Sequence, residues 1–187
     1  MLNLKDSFDF LKSFPIAKYF LVKTEKDLQR IDFPYYMKAS IAGHKTEEKA
    51  ITRCRNLEEA KNTYLFLSKK FVGDIIIQKE SEGIEMIIGL KKDTVFGRLL
   101  MIGFGGIFTE KIKDISFRAV PLDKKEIEKM LQELKFYSML VSRKKYAIDK
   151  FVELALKVSR LEIHEMDLNP VILNEEEAVI VDARIEL

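Results

Sequence analysis

The apolar and polar positions alternate between strand-like runs and helical spacings along the whole chain. Asp6 to Lys12 reads as a short helix that Pro15 ends, because proline lacks the N–H a helix interior needs. Ala17 to Val22 is strand-like. Thr24-Glu25-Lys26-Asp27 opens a second short helix, with Thr24 as its N-cap. Pro34 leads into Tyr35-Tyr36-Met37-Lys38, an aromatic strand ending on a lysine. Asn56 caps a helix from Leu57 to Phe71, with Ala60, Tyr64, Leu67 and Phe71 along one face, and Gly73 stops it. Asp74 to Gln78, Ile84 to Leu90 and Arg98 to Phe104 are apolar runs of strand length. Ser81-Glu82-Gly83 joins the first two, and the third closes in Gly103-Phe104-Gly105-Gly106. Asp123-Lys124-Lys125-Glu126 is a capping box for a helix reaching Val141. A further helix is expected from Tyr146 to Arg160, and two strands surround Asn174-Glu175-Glu176-Glu177. The irregular alternation predicts an α/β or α+β fold with mixed sheets.

Composition narrows this picture in three ways. A chain of 187 residues makes one compact domain or two small lobes. Its 32 Lys and Arg against 30 Asp and Glu leave a net charge of +2, which gives no reason to expect a nucleic-acid partner. Cys54 is the only cysteine, so an intrachain disulfide and a cysteine-cluster metal site are excluded. No run approaches the roughly 20 apolar residues of a membrane helix. The N-terminus shows no basic and apolar leader pattern, so a cytoplasmic protein without a membrane partner is expected.

The C-terminal hairpin carries the best physical clue. If residues 174–177 form the loop, Leu173 faces Ala178 and paired residue numbers sum to 351. Asn169 then falls opposite Asp182, and Asp167 opposite Arg184. Met166, Leu168, Pro170, Ile172, Val179, Val181, Ala183 and Ile185 share the face suited to burial. A slip of one residue would invert that split. Directly opposed side chains have Cβ atoms about 4.5–5.5 Å apart, so an amide oxygen and a carboxylate there can share one cation. Mg²⁺ suits such a pair, because it fills its other positions with water and phosphate. The pattern alone also fits a solvated polar face with a surface Asp–Arg pair.

An ordered series of segments points further. It runs through Gly83-Ile84-Glu85-Met86-Ile87-Ile88-Gly89, Asp93-Thr94-Val95-Phe96-Gly97, Met101-Ile102-Gly103-Phe104-Gly105-Gly106-Ile107-Phe108-Thr109-Glu110 and Lys113-Asp114-Ile115-Ser116-Phe117-Arg118-Ala119-Val120-Pro121-Leu122. It ends with Glu165-Met166-Asp167-Leu168-Asn169-Pro170 and Val181-Asp182-Ala183-Arg184. This series resembles the ATP-grasp, β-subunit part of ADP-forming acyl-CoA (acetyl-CoA) synthetases, with succinyl-CoA synthetase β subunits as more distant relatives. The resemblance covers nearly the whole chain.

The resemblance implies a single ATP-grasp domain over residues 1–187, with α+β lobes at about 1–80 and 81–187 holding ATP or ADP and Mg²⁺ between them. It implies interconversion of acyl-CoA, ADP and phosphate with free acid, CoA and ATP through a phosphohistidine. No stretch here resembles the CoA-binding part, so a CoA-binding α-type partner subunit in a hetero-oligomer is implied. The runner-up is a noncatalytic ATP-grasp-like module that steadies or regulates a synthetase partner.

Residue by residue, the resemblance makes Lys38 the strand lysine that touches nucleotide phosphates. Gln78, Lys79 and Glu80 match the interlobe hinge, where backbone groups meet adenine. Glu85 matches a ribose- or phosphate-site glutamate. Gly105 and Gly106 match a turn that admits backbone close to a ligand. Asn169 and Asp182 match metal ligands, and Asp167 an acidic residue that steadies the phosphohistidine. His44-Lys45-Thr46 resembles a segment whose histidine relays phosphoryl to ADP, a role imidazole suits as a neutral nucleophile near pH 7. Lys49-Ala50 replaces the glycine pair that usually follows it. His164, outside any motif, reads as structural or exposed.

Overall fold

In the computed structural model the described residues are 1–41, 50–106, 113–142 and 145–187. They form two compact units. One comprises Met1–Lys12 and Ile16–Ser81, the other Ser13–Pro15 and Glu82–Leu187. Every described strand pair is antiparallel, so the expected mixed sheets do not form and the architecture is α+β.

The first unit opens with α1 (Leu4–Phe10), capped by Asn3, whose side chain accepts from the Asp6 N–H at 2.9 Å. Its strands are β1 (Tyr19–Val22), β2 (Tyr35–Ala39), β3 (Ile51–Cys54) and β4 (Ile75–Lys79), in the order β1-β4-β2-β3. A 3-10 turn (Glu25–Gln29) and helix α2 (Leu57–Lys70) accompany the sheet. Strand alternation sends Tyr35, Met37 and Ala39 of β2 and Ile75 and Ile77 of β4 into one core with Leu28, Ala60 and Leu67. Tyr36, Lys38, Ile76 and Gln78 therefore share the other face of this sheet.

The second unit contains β5 (Ile84–Asp93), β6 (Gly97–Phe104), β7 (Ile115–Ala119), α3 (Lys124–Gln132), α4 (Tyr137–Val141) and α5 (Ile148–Ser159). It ends with β8 (Glu165–Leu173), β9 (Ala178–Ile180) and β10 (Arg184–Glu186). The sheet order is β10-β8-β5-β6-β7, with β9 also paired to β8. Helices α3 and α5 pack against each other. Helix α3 also lies on β6 and β7, and α5 on β5, β6 and β9. The buried residues of the sheet include Met86, Ile88, Leu90, Leu100, Ile102, Met166 and Leu168.

The structure departs from the sequence reading in three places. The single helix expected up to Val141 is two, because the Asp114 carboxylate accepts from the Lys135 and Phe136 N–H groups at 2.8 and 3.0 Å. That acceptor lies about twenty residues upstream, outside any local pattern. The last strand is split into β9 and β10. Strands β3 and β7, of four and five residues, are absent from the sequence reading.

Candidate functional site

In the first unit the structure brings Lys38 and Gln78 together. They are near-neighbours on adjacent strands, with Lys38 registered on Ile76 and Tyr36 on Gln78. Lys38 is 4% exposed and Gln78 1%. The Lys38 Nζ donates to Gln78 Oε1 at 2.6 Å, while Gln78 Nε2 is buried with no hydrogen-bond partner. Lys79 is exposed at the end of β4. Glu80 accepts two hydrogen bonds from Arg53, at 2.7 and 2.8 Å, and that guanidinium holds its carboxyl below the usual range. With its carboxylate pinned, Glu80 offers a ligand mainly its backbone.

In the second unit the hairpin takes the expected register. Val171, Ile172 and Leu173 pair with Ile180, Val179 and Ala178, and Asp167, Met166 and Glu165 pair with Arg184, Ile185 and Glu186. Each pair sums to 351, so no residue is inserted between the two ladders. Asn169 and Asp182 occupy opposed positions within the gap. On its other side β8 is bulged against β5: the register shifts between Met86 and Ile88, so Asn169 and Pro170 together oppose Ile87. Such a bulge re-aims the side chains it carries. Asn169 is exposed and Asp182 half-buried. The Asp182 carboxylate accepts from the Ala183 N–H at 2.8 Å, which fixes its orientation.

Asp167 lies two residues before Asn169 on the same strand. Burial pushes its carboxyl above the usual range, the facing Arg184 guanidinium pulls it back, and Asp182 and Glu165 push it up again. Its Oδ1 is buried without a hydrogen-bond partner. A buried acceptor left unmade is costly, so this atom is suited to receive an N–H from a ligand or partner.

Glu85, Gly105 and Gly106 form a third cluster. The Gly105 N–H donates to the Glu85 carbonyl at 2.7 Å. Gly106 has φ +61°, and a Cβ there would collide with Glu85 Oε2. The glycine thus meets both a left-handed backbone and a carboxylate lying against its α carbon. His164 is exposed, and its backbone pairs with Lys92 and Glu186. His44, with Lys45 and Thr46, lies outside the described residues.

No three His, Cys, Asp or Glu side chains gather as a metal cage among the described residues. The donor set at the hairpin is instead one amide oxygen and one carboxylate. Two hard oxygens fit a cation that completes its octahedron with water and phosphate, as Mg²⁺ does.

Residues 25–187 match the family model described as an ATP-grasp domain. The chain belongs to the ATP-grasp family. Its relatives include the β subunit of ADP-forming acetate–CoA ligase I from Pyrococcus furiosus, 30% identical over 95% of this chain and 87% of that protein. ADP-forming acetate–CoA ligase II of Archaeoglobus fulgidus is 37% identical over 90% of this chain, which spans only 27% of that enzyme's length. Among solved structures, the chain is similar to dinucleotide-forming acetyl-coenzyme A synthetase 1 of Ca. Korarchaeum cryptofilum in complex with coenzyme A and Mg-AMPPCP, its phosphohistidine segment pointing towards the nucleotide-binding site. That match has a TM-score of 0.83 at 30% identity and covers 98% of this chain and 91% of the other.

One feature of this ATP-grasp domain escaped the sequence reading. Strand register lines up Arg184, Asp167, Gly89, Met101 and Phe117 as one row across β10, β8, β5, β6 and β7. Gly89 leaves room for the Met101 side chain, whose Cε would stand 3.0 Å from an added Cβ. Phe117 is 49% exposed in the same row. The row therefore runs from paired charges to an exposed aromatic ring. The available signal was a glycine inside an apolar strand, which often marks a close approach.

Proposed function

We propose that this chain is the nucleotide-binding, β-type part of an ADP-forming acid–CoA ligase. It binds Mg·ADP or Mg·ATP and passes a phosphoryl group between the nucleotide and a phosphohistidine, working with a CoA-binding partner subunit. The observation that carries this reading is the hairpin. It sets Asn169 opposite Asp182 in an uninterrupted register, with the unpartnered buried oxygen of Asp167 two residues away. The family membership and the phosphohistidine segment of the Korarchaeum relative support it.

In this reading Asn169 and Asp182 hold Mg²⁺, which supplies charge neutralisation for the nucleotide phosphates. Lys38 contacts the phosphates as a point charge. Backbone groups of Gln78, Lys79 and Glu80 meet the base, and Glu85, Gly105 and Gly106 line the sugar and phosphate end. Asp167 accepts an imidazole N–H and orients the ring, so that its other nitrogen faces the phosphoryl group. Transfer breaks a P–N bond to histidine and forms a P–O bond to the terminal oxygen of ADP. The reverse direction regenerates phosphohistidine.

Calorimetric titration with Mg·ADP tests the site. Asp182→Ala is expected to weaken binding about tenfold or more, the effect of losing interactions worth about 1.4 kcal/mol. Its thermal melting should stay close to that of the wild type, because the position lies off the packed core. Equal affinity in a folded Asp182→Ala chain would remove this residue from the site.

A further inference from the structure

The second unit holds a row of basic residues that the proposed function leaves unused. In the β5–β6 ladder Lys92 is registered on Arg98. In the β5–β8 ladder Lys91 is registered on Glu165, and one step further the Lys92 N–H donates to the His164 carbonyl at 2.9 Å. His164, Lys92 and Arg98 therefore stand side by side across three strands. Strand alternation puts them on the sheet face of Met166, Leu90 and Leu100, opposite the face of Asp167. Met166, Leu90 and Leu100 are buried, whereas two residues further along Lys92 and His164 are exposed and Arg98 is half-buried.

Like charges directly opposed across a ladder destabilise it. The nearby carboxylates do little to offset this row. Arg98 pairs with Glu162 at 2.7 Å and also donates to the Leu161 carbonyl, but Glu162 is 81% exposed, and solvent weakens such a pair. Glu165 is paired with Lys91 on the other face, at 3.1 Å. The Asp93 carboxylate accepts from the Val95 and Phe96 N–H groups of the adjoining turn. Among the described residues the Lys92 ammonium and the His164 imidazole make no hydrogen bond or ion pair. With Gly97, Glu162 and the buried Ile163, the three basic residues line a concavity of about 420 Å³. A Cβ at Gly97 would meet nothing within 4 Å, so the rim is open there.

We propose that Lys92, His164 and Arg98 form an anion site for a phosphate group, either the free ion or a phosphate monoester. The ammonium brings three donors, the imidazole one or two, and the guanidinium those that Leu161 and Glu162 leave over. A phosphate group offers several acceptor oxygens and carries nearly two negative charges at pH 7, so it balances such a row better than one carboxylate. The site lies on the opposite face of the sheet from Asp167 and does not depend on the nucleotide reading.

Histidine side-chain NMR of the full chain tests the site. The chain has two histidines, and His164→Gln identifies the His164 signal. Sodium phosphate and glycerol phosphate are titrated against sodium chloride at matched pH and ionic strength. Both phosphates are expected to shift the His164 signal to saturation, and chloride is not. Tighter binding of glycerol phosphate would mark a monoester as the ligand, and tighter binding of phosphate the free ion; either supports the site. Lys92→Gln should weaken phosphate binding about tenfold or more, and Lys92→Arg should keep most of it. Thermal melting supplies a second readout. In chloride Lys92→Gln should melt at or above the wild-type temperature, because it removes an opposed like charge. Phosphate should then raise the melting temperature of the wild type more than that of Lys92→Gln. A purely structural lysine would give neither result. A His164 shift no greater in the phosphates than in chloride overturns the proposal. So does a phosphate affinity of Lys92→Gln within about twofold of the wild type.

Discussion

At the scale of single residues, the site depends on a few atoms that burial leaves available for chemistry. Asp167 Oδ1 is buried without a partner, and its carboxyl is pushed up mainly by desolvation. In the proposed function this group is held for a ligand, and its loss should be felt in transfer rather than in folding. In the complex with a CoA-binding partner, Asp167→Ala is expected to abolish ATP formation from acyl-CoA, ADP and phosphate. Comparison with His44→Ala reads the relay. Loss in both variants, with loss of an alkali-stable, acid-labile phosphoryl label on this chain in His44→Ala, supports transfer through His44. Loss in Asp167→Ala alone means that the partner's histidine reaches the nucleotide directly. Gly106 illustrates a different constraint. Its φ of +61° and the Glu85 oxygen lying where a methyl group would go leave no unstrained place for a side chain. Gly106→Ala should cost roughly 1 kcal/mol of stability by urea denaturation, the usual penalty for alanine at positive φ, and should displace the Glu85 carboxylate.

At the scale of elements, short pieces are held by their ends. The 3-10 turn over Glu25–Gln29 starts where the Asp27 carboxylate accepts from the Lys23 and Thr24 N–H groups, at 3.0 and 2.9 Å. Those bonds hold the Asp27 carboxyl below its usual range. Because the folded value is the lower one, the contribution is present above the ordinary aspartate pKa of about 3.9 and is lost as pH falls through the folded value. Asp27→Asn should therefore lower the urea midpoint at about pH 7, with the gap to wild type closing by about pH 2. The hairpin follows the same logic on a larger scale. Its two ladders, on either side of Asn169 and Asp182, hold those positions opposed. The bulge against β5 turns Asn169 away from the regular pleat.

At the scale of the whole molecule, the proposed function gives this chain the nucleotide half of a reaction whose other half requires CoA. That division of labour predicts that the purified chain binds Mg·ADP but does not make ATP from acyl-CoA, ADP and phosphate. Addition of a CoA-binding subunit should restore turnover, read by coupled ATP detection. Full turnover by the chain alone would show the assignment of a partner to be wrong. Among the described residues no helix is long and apolar enough to cross a membrane.

Much of the fold was legible because its signals are local. Asn56 and Asp123 cap their helices as their spacing implied, accepting from the Glu59 and Glu126 N–H groups at 2.9 Å each. The hairpin register followed from a period of two and a four-residue loop, and every observed pair keeps the sum of 351. Signals that depend on distant partners were not legible. Asp114 ends α3 from about twenty residues upstream, and Phe117 joins the row of Asp167 only through three intervening ladders. The same division holds for the site. The sequence by itself determined which residues could bear charge, ligate a metal or face each other across a hairpin, because these follow from side-chain chemistry and short-range geometry. Only the tertiary structure decided that Lys38 and Gln78 meet in a nearly solvent-free place and that an oxygen of Asp167 is buried unpaired, because burial is set by strands and helices far away in the chain.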